Sequence, residues 1–194
     1  MFPKKNFPFL LIALSISTAF LVAEERVEKE STQFASAYSS HPDSHFLKNI
    51  ENDNGSLELE DGSQWEVSSF DVRQLRKWSQ GEKIAITPNY SWFSSYDYYI
   101  TNKSDGSYVR ANLSKEPLKF GPQSHWIVDL DRYGGRIYLE NNTIWHVDPK
   151  NYPLLKDWIT SDHLILGTCD AWASPYDYIL INTHGRDYVR VSQY

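Results

Sequence analysis

One cysteine, Cys169, stands in a chain of 194 residues, so no internal disulfide can form and stability has to come from packing. That residue is either a small buried apolar group or the partner in an intermolecular disulfide. No run of Lys and Arg is present either, and 25 Asp and Glu against 19 Lys and Arg leave a formal charge of −6. An acidic chain without a basic patch is a poor match for a phosphate backbone, which argues against nucleic acid as partner. The six His residues lack the paired spacing of a zinc site. Asp53, Asn54 and Asp61 lack the ligand series of an EF-hand and are turn residues, so neither a metal nor a cofactor is expected.

The N-terminus carries a targeting signal in its order of residue types. Lys4 and Lys5 precede an uncharged, largely apolar run from Phe7 to Val22, then Ala23 and the acidic pair Glu24-Glu25. The run falls short of the roughly 20 apolar residues that span a bilayer. Residues 1–23 are therefore expected to be a cleaved signal peptide, the alternative being an uncleaved anchor that would supply the only membrane contact. Removing the two lysines takes the charge from −6 to −8. Export without disulfides fits a bacterial periplasm, envelope or secreted fraction.

Sliding the sequence against itself by 80 residues exposes a duplication. Leu59-Glu60, Trp65, Val67, Leu75 and Trp78 fall on Leu139-Glu140, Trp145, Val147, Leu155 and Trp158. Trp92, Ser94, Tyr96-Asp97-Tyr98, Asn102 and Tyr108-Val109-Arg110 fall on Trp172, Ser174, Tyr176-Asp177-Tyr178, Asn182 and Tyr188-Val189-Arg190. Upstream, Pro42, Ser44-His45 and Gly55 meet Pro122, Ser124-His125 and Gly135, making nineteen identities in one ungapped register. The expected organisation is a polar, flexible leader at 24–41, one repeat at 42–113, a linker at 114–121 and a second repeat at 122–194.

Within each copy the apolar period is 2, as strands require. Phe46, Lys48 and Ile50 alternate up to the turn signal Asn52-Asp53-Asn54-Gly55, and Leu57 and Leu59 lead to Asp61-Gly62. From Ser69 to Trp78 the spacing becomes helical, with a capping Ser and Asp71 at its start and Gly81 closing it. In the second copy Pro149 and Pro153 restrict that helix to about 154–158. Residues 83–87 and 163–167 are expected as buried strands, and 96–102 with 107–113 as a closing hairpin. A mainly β fold of two tandem SH3-like or OB-like small barrels, each with one short helix, hides the edges of so few strands.

The pattern Leu59-Glu60-Asp61-Gly62-Ser63-Gln64-Trp65-Glu66-Val67, followed by Trp78, Gly81 and Ile84-Ala85-Ile86, resembles a repeat found in small uncharacterised exported proteins of Gram-negative bacteria. The resemblance covers both copies, implies export and a β-rich repeat, and brings no catalytic residue. The second copy departs from it, with Asn141-Asn142-Thr143-Ile144 at the turn and Ser161 where Gly81 stands. A role for the first Asp-Gly turn need not extend to it.

Ser44-His45 and Ser124-His125 place a hydroxyl beside an imidazole, but neighbours on a strand point to opposite faces, and no Gly-x-Ser-x-Gly elbow is present. Each His is expected at the start of the first strand of its copy, and no residue is assigned as catalytic. The segments around Trp92, Phe93, Tyr96 and Asp97, and around Trp172, Tyr176 and Asp177, are the candidate ligand-binding residues. They place aromatic faces beside a carboxylate in a loop, a combination that stacks on sugars or grips peptides. The alternative is that Trp92 and Tyr96 plug the end of the barrel. Arg110 and Arg190 are expected to pair with Asp97 and Asp177.

Asn89-Tyr90-Ser91-Trp92-Phe93 becomes Cys169-Asp170-Ala171-Trp172-Ala173 in the second copy, so the stronger binding is expected in the first. The function these residues point to is a non-enzymatic tandem-repeat binding module with a peptide, glycan or protein partner of the envelope. A structural or assembly role is the alternative, and a hydrolase is the weakest reading.

Overall fold

The computed structural model describes residues 44–51, 55–119, 121, 123–171 and 174–193. The expected signal and leader, the turn residues Asn52, Asp53 and Asn54, and Trp172 lie outside the described residues.

The first copy folds as β1 (His45–Glu51), β2 (Ser56–Leu59), β3 (Gln64–Val67), α1 (Val72–Leu75), β4 (Lys83–Pro88), β5 (Tyr98–Asn102) and β6 (Tyr108–Lys115). The second folds as β7 (Ser124–Asp131), β8 (Arg136–Leu139), β9 (Ile144–Val147), a 3-10 helix (Pro149–Lys156), β10 (His163–Thr168), β11 (Tyr178–Asn182) and β12 (Tyr188–Gln193). Each copy is a closed six-stranded barrel, in the orders β1-β2-β3-β6-β5-β4 and β7-β8-β9-β12-β11-β10. Every pairing among the described residues is antiparallel, and closure gives each strand a neighbour on both sides. A bulge between Leu47 and Asn49 in β1 recurs between Ile127 and Asp129 in β7, bending the strand where each barrel has to close.

The core follows from the alternation. Trp65 and Trp145 are 0% and 4% exposed, as their place between inward-facing aliphatic residues requires. Each meets a tyrosine of the closing hairpin edge-on at 5.5 Å, Tyr98 in one barrel and Tyr178 in the other. Their indole N–H groups donate two residues back, to Ser63 Oγ at 3.0 Å and Thr143 Oγ1 at 2.9 Å. No buried donor is wasted in either copy of this contact.

The helical segments differ from expectation in two respects. Asp71 sits at the N-cap of α1 without capping it, because its carboxylate is held by the Arg110 guanidinium, at 2.7 Å from Nε and 3.0 Å from Nη2. A bidentate charge-assisted pair outcompetes a single bond to a backbone N–H. In the second copy the turn starts earlier than residues 154–158. Asp148 accepts from Lys150 N at 3.0 Å, and Pro149 at the first position has no N–H to lose, so a 3-10 helix spans Pro149–Lys156.

The two barrels lie within one unit, 42–194. They meet through β4 and β10, which are apolar on both faces. Ile165, Ile179 and Ile181, on the outer face of β10 and β11, are buried in one apolar cluster with the core of the first barrel, and Ala85 and Thr87 of β4 are buried as well. Gly167 has to be glycine for this approach, since a Cβ there would lie 2.7 Å from the carbonyl oxygen of Ile86.

Candidate functional site

The loop joining β4 to β5 leaves the barrel at Asn89 and returns at Asp97, and Asn89 organises it. Its backbone N donates to Asp97 O at 2.8 Å. Its amide nitrogen donates to Ser94 Oγ and Tyr96 O, both at 2.8 Å, and its amide oxygen accepts from Ser91 N at 2.9 Å. Asn112 on β6 clamps the far side, accepting from Asp97 N at 2.7 Å and donating to Ser95 O at 2.9 Å. On this framework Trp92 and Phe93 stand 97% and 101% exposed, while Tyr96 is half-buried and Asp97 exposed. The plug assignment for Trp92 is therefore overturned. Tyr98, one residue past Asp97, is the aromatic residue that is buried here, packed edge-on against Trp65.

The matching loop of the second barrel lacks the organiser. Cys169 replaces Asn89, and among the described residues its thiol lies 3.7 Å from Ser174 Oγ and 4.0 Å from Tyr90 OH. The thiol is free and half-buried, packed at the junction against the core of the first barrel. Tyr176 is half-buried beside Asp148 and Tyr152, and Asp177 is exposed, its backbone oxygen accepting from Cys169 N at 2.8 Å. These two stay with their own barrel and do not join the first loop.

Where the barrels meet, a cleft of about 410 Å³ opens beside the first loop. Asp97 and Tyr98 wall it from the first barrel, and Arg186, Asp187, Tyr188 and Arg190 from the second. The Tyr98 and Tyr188 rings lie 6.1 Å apart at 62°, and Tyr98 OH donates to Arg186 O at 3.4 Å. Burial pushes both phenols above their ordinary range, with Asp97 adding to it. Tyr90 is pushed up to about 12, by burial first and then by the neighbouring Cys169. The tyrosines therefore remain protonated donors at neutral pH.

The charged pairs differ from the sequence-based expectation. Arg110 pairs with Asp71 and not with Asp97, because Asp97 precedes β5 while Arg110 lies opposite Tyr99 within it. Arg190 does not reach Asp177; its Nη1 lies 3.8 Å from Asp148, and its guanidinium carbon is 5.7 Å from the centre of the Tyr90 ring. The Arg190 Nε is buried without an acceptor among the described residues.

His45 and Ser124 serve the junction as well as their strands. The His45 Nε2 is 2.8 Å from Leu166 O in the second barrel, and its Nδ1 is at ion-pair distance, 3.2 Å, from Glu60. Burial alone would lower its pKa, but Glu60 and Asp61 outweigh this and raise it to about 9. Asp61 is more than a turn residue. Its backbone oxygen accepts from Leu118 N at 2.8 Å and Lys119 N at 2.9 Å, and its carboxylate accepts from Ser124 Oγ. The first Asp-Gly turn thus ties down the connecting segment and the start of the second barrel. Its counterpart Asn141 is exposed.

No protein-family model, curated protein or solved structure matches the chain. The site is thus defined by its own chemistry. Sequence reasoning singled out Trp92, Phe93, Tyr96 and Asp97 and placed Asn89 and Tyr90 in the same loop, but missed Asn89 as its organiser and the charged hairpin 186–190 as a cleft wall. One signal for the latter was present in the differences between copies, because Gly106 and Ser107 become Arg186 and Asp187.

Proposed function

We propose that this protein is an exported, non-enzymatic binding module of the bacterial envelope or secreted fraction, and that it binds a glycan through the first-barrel loop and the adjoining cleft. The observation that carries the reading is the full exposure of the adjacent Trp92 and Phe93 on a loop already held by its own hydrogen bonds. Two aromatic faces that stabilise no core, on a pre-organised support, lose little entropy on stacking against a sugar ring.

In the closed barrels each strand has a neighbour on both sides, which leaves little edge for an extended peptide to join. Leu154 is the sole aliphatic side chain among the residues lining the cleft, which suits a polyhydroxylated ligand better than an apolar one. The outer apolar face that an assembly protein would present is covered by contact between the two barrels.

Binding to a glycan array tests the proposal. Wild-type protein is expected to retain at least one glycan. The Trp92→Ala/Phe93→Ala variant should lose about tenfold or more in affinity, roughly 1.4 kcal/mol or more, at an unchanged melting temperature. A wild type that retains no glycan, or a variant that binds as well as wild type, overturns it.

A further inference from the structure

The second barrel differs from the first at three positions that line the cleft, Asn151 in the 3-10 helix and Arg186 and Asp187 in the β11–β12 hairpin. In the first barrel Asp71 accepts Arg110 N at 3.0 Å and also neutralises the Arg110 guanidinium. The equivalent residue in the second barrel is Asn151. It keeps the backbone bond, accepting Arg190 N at 3.0 Å, but has no charge to hold the guanidinium. The Arg190 guanidinium lies in the cleft wall instead, its Nη1 3.8 Å from Asp148 and its Nε buried without an acceptor among the described residues.

The second change adds another cation. Gly106, at φ +74°, becomes Arg186 at φ +58°, so a long charged side chain occupies a backbone conformation that favours glycine. Such strain at a cleft is the kind that persists at functional sites. The third change replaces Ser107 by Asp187, whose carboxylate is fixed by Trp158 Nε1 at 3.1 Å. Asp97 faces the same space from the first barrel.

Resting on the glycan reading, we infer that the ligand is an acidic glycan, with the carboxylate of a uronic-acid-type sugar held by Arg190 and Arg186. Guanidinium N–H groups match a carboxylate in geometry and charge. The acceptor-only carboxylates of Asp97 and Asp187 take sugar hydroxyls, and the Tyr98 and Tyr188 phenols and the Asn151 amide add donors. Two cations offset by two anions suit one acidic group among many hydroxyls. A polyanion is disfavoured by the same balance.

The test compares a trisaccharide of two neutral sugars and one galacturonate with its methyl ester, which keeps the rings and hydroxyls and removes the charge, by calorimetric titration of the whole protein. Wild type should bind the free acid at least tenfold more tightly than the ester. Asn151→Asp supplies Arg190 with the partner that Arg110 has. It should abolish this preference without lowering the melting temperature, while Arg186→Gly should weaken it and raise the melting temperature. Equal binding of acid and ester, both lost in Trp92→Ala/Phe93→Ala, overturns the inference and leaves the glycan reading standing. A preference that survives in Asn151→Asp overturns the role of Arg190. No binding of either sugar by wild type overturns the acidic-glycan inference, and the glycan array then decides whether the broader reading survives.

Discussion

Three turns of the first barrel use glycine in the left-handed region, Gly62, Gly81 and Gly106, and the second barrel makes the same turns with Asn142, Ser161 and Arg186 at φ 64°, 74° and 58°. The cores changed far less: both keep the buried Trp, its edge-on Tyr and its short indole hydrogen bond. A packed interior tolerates little because every substitution alters volume and contacts. A turn tolerates a side chain at positive φ at a cost of order 1 kcal/mol. Divergence between the copies is accordingly concentrated in turns and outer faces. There it produced the interface isoleucines on one side and the charged cleft on the other.

The largest expected effect probes the shared core. Trp65→Ala and Trp145→Ala should each cost about 3–5 kcal/mol, measured by urea unfolding. Near-equal losses support equivalent cores, whereas a variant that unfolds like the parent breaks the comparison.

Next comes the junction, where His45 acts across the barrels. Its folded pKa, raised to about 9, lies above the ordinary value of 6.5, so the folded state binds the proton more tightly. The stabilisation is complete below about pH 6.5 and is lost as pH rises toward about 9, amounting to about 3 kcal/mol at most. The urea midpoint of wild type should fall across that window, and His45→Gln should flatten the fall. A wild-type midpoint independent of pH would show that the imidazole is not held as a cation.

Gly167→Ala sharpens the asymmetry of the interface. A methyl group aimed at Ile86 O should cost about 1–3 kcal/mol through forced separation. Thr87→Ala, at the matching position of the first barrel, only removes atoms and should cost less by the same measurement. Equal losses would mean that the barrels adjust freely.

The smallest effect concerns the turns. Ser161→Gly should raise stability, and the reciprocal Gly81→Ser should lower it, each by about 1 kcal/mol. A Cβ at Gly81 would meet no atom within 4 Å, so the backbone alone carries that cost. Thermal melts of the two variants should move in opposite directions.

Particular residues show why some features were legible before the fold was known. Trp65 and Trp145 were identifiable as core because they recur in register between apolar strand positions, a local pattern with a period of 2. Trp92 and Phe93 stood out as adjacent aromatic residues in a loop. The partner of Arg110 was not legible, because strand position alone does not reveal that the segment after β3 brings Asp71 beneath β6, 39 residues away. The capping role expected for Asp71 failed for the same reason: a distant guanidinium took the carboxylate.

The amino-acid sequence by itself determined the duplication, the strand alternation, the paired tryptophans and the apolar runs that become β4 and β10. All of these follow from short-range periodicity and from comparison of one copy with the other. Only the tertiary structure decided that the apolar outer faces are buried against each other, that His45 reaches Leu166, and that Asp97 shares a cleft with Arg186 and Arg190. Those outcomes depend on how two closed barrels pack, which is set by contacts summed over both surfaces and by the fit of Gly167 against Ile86.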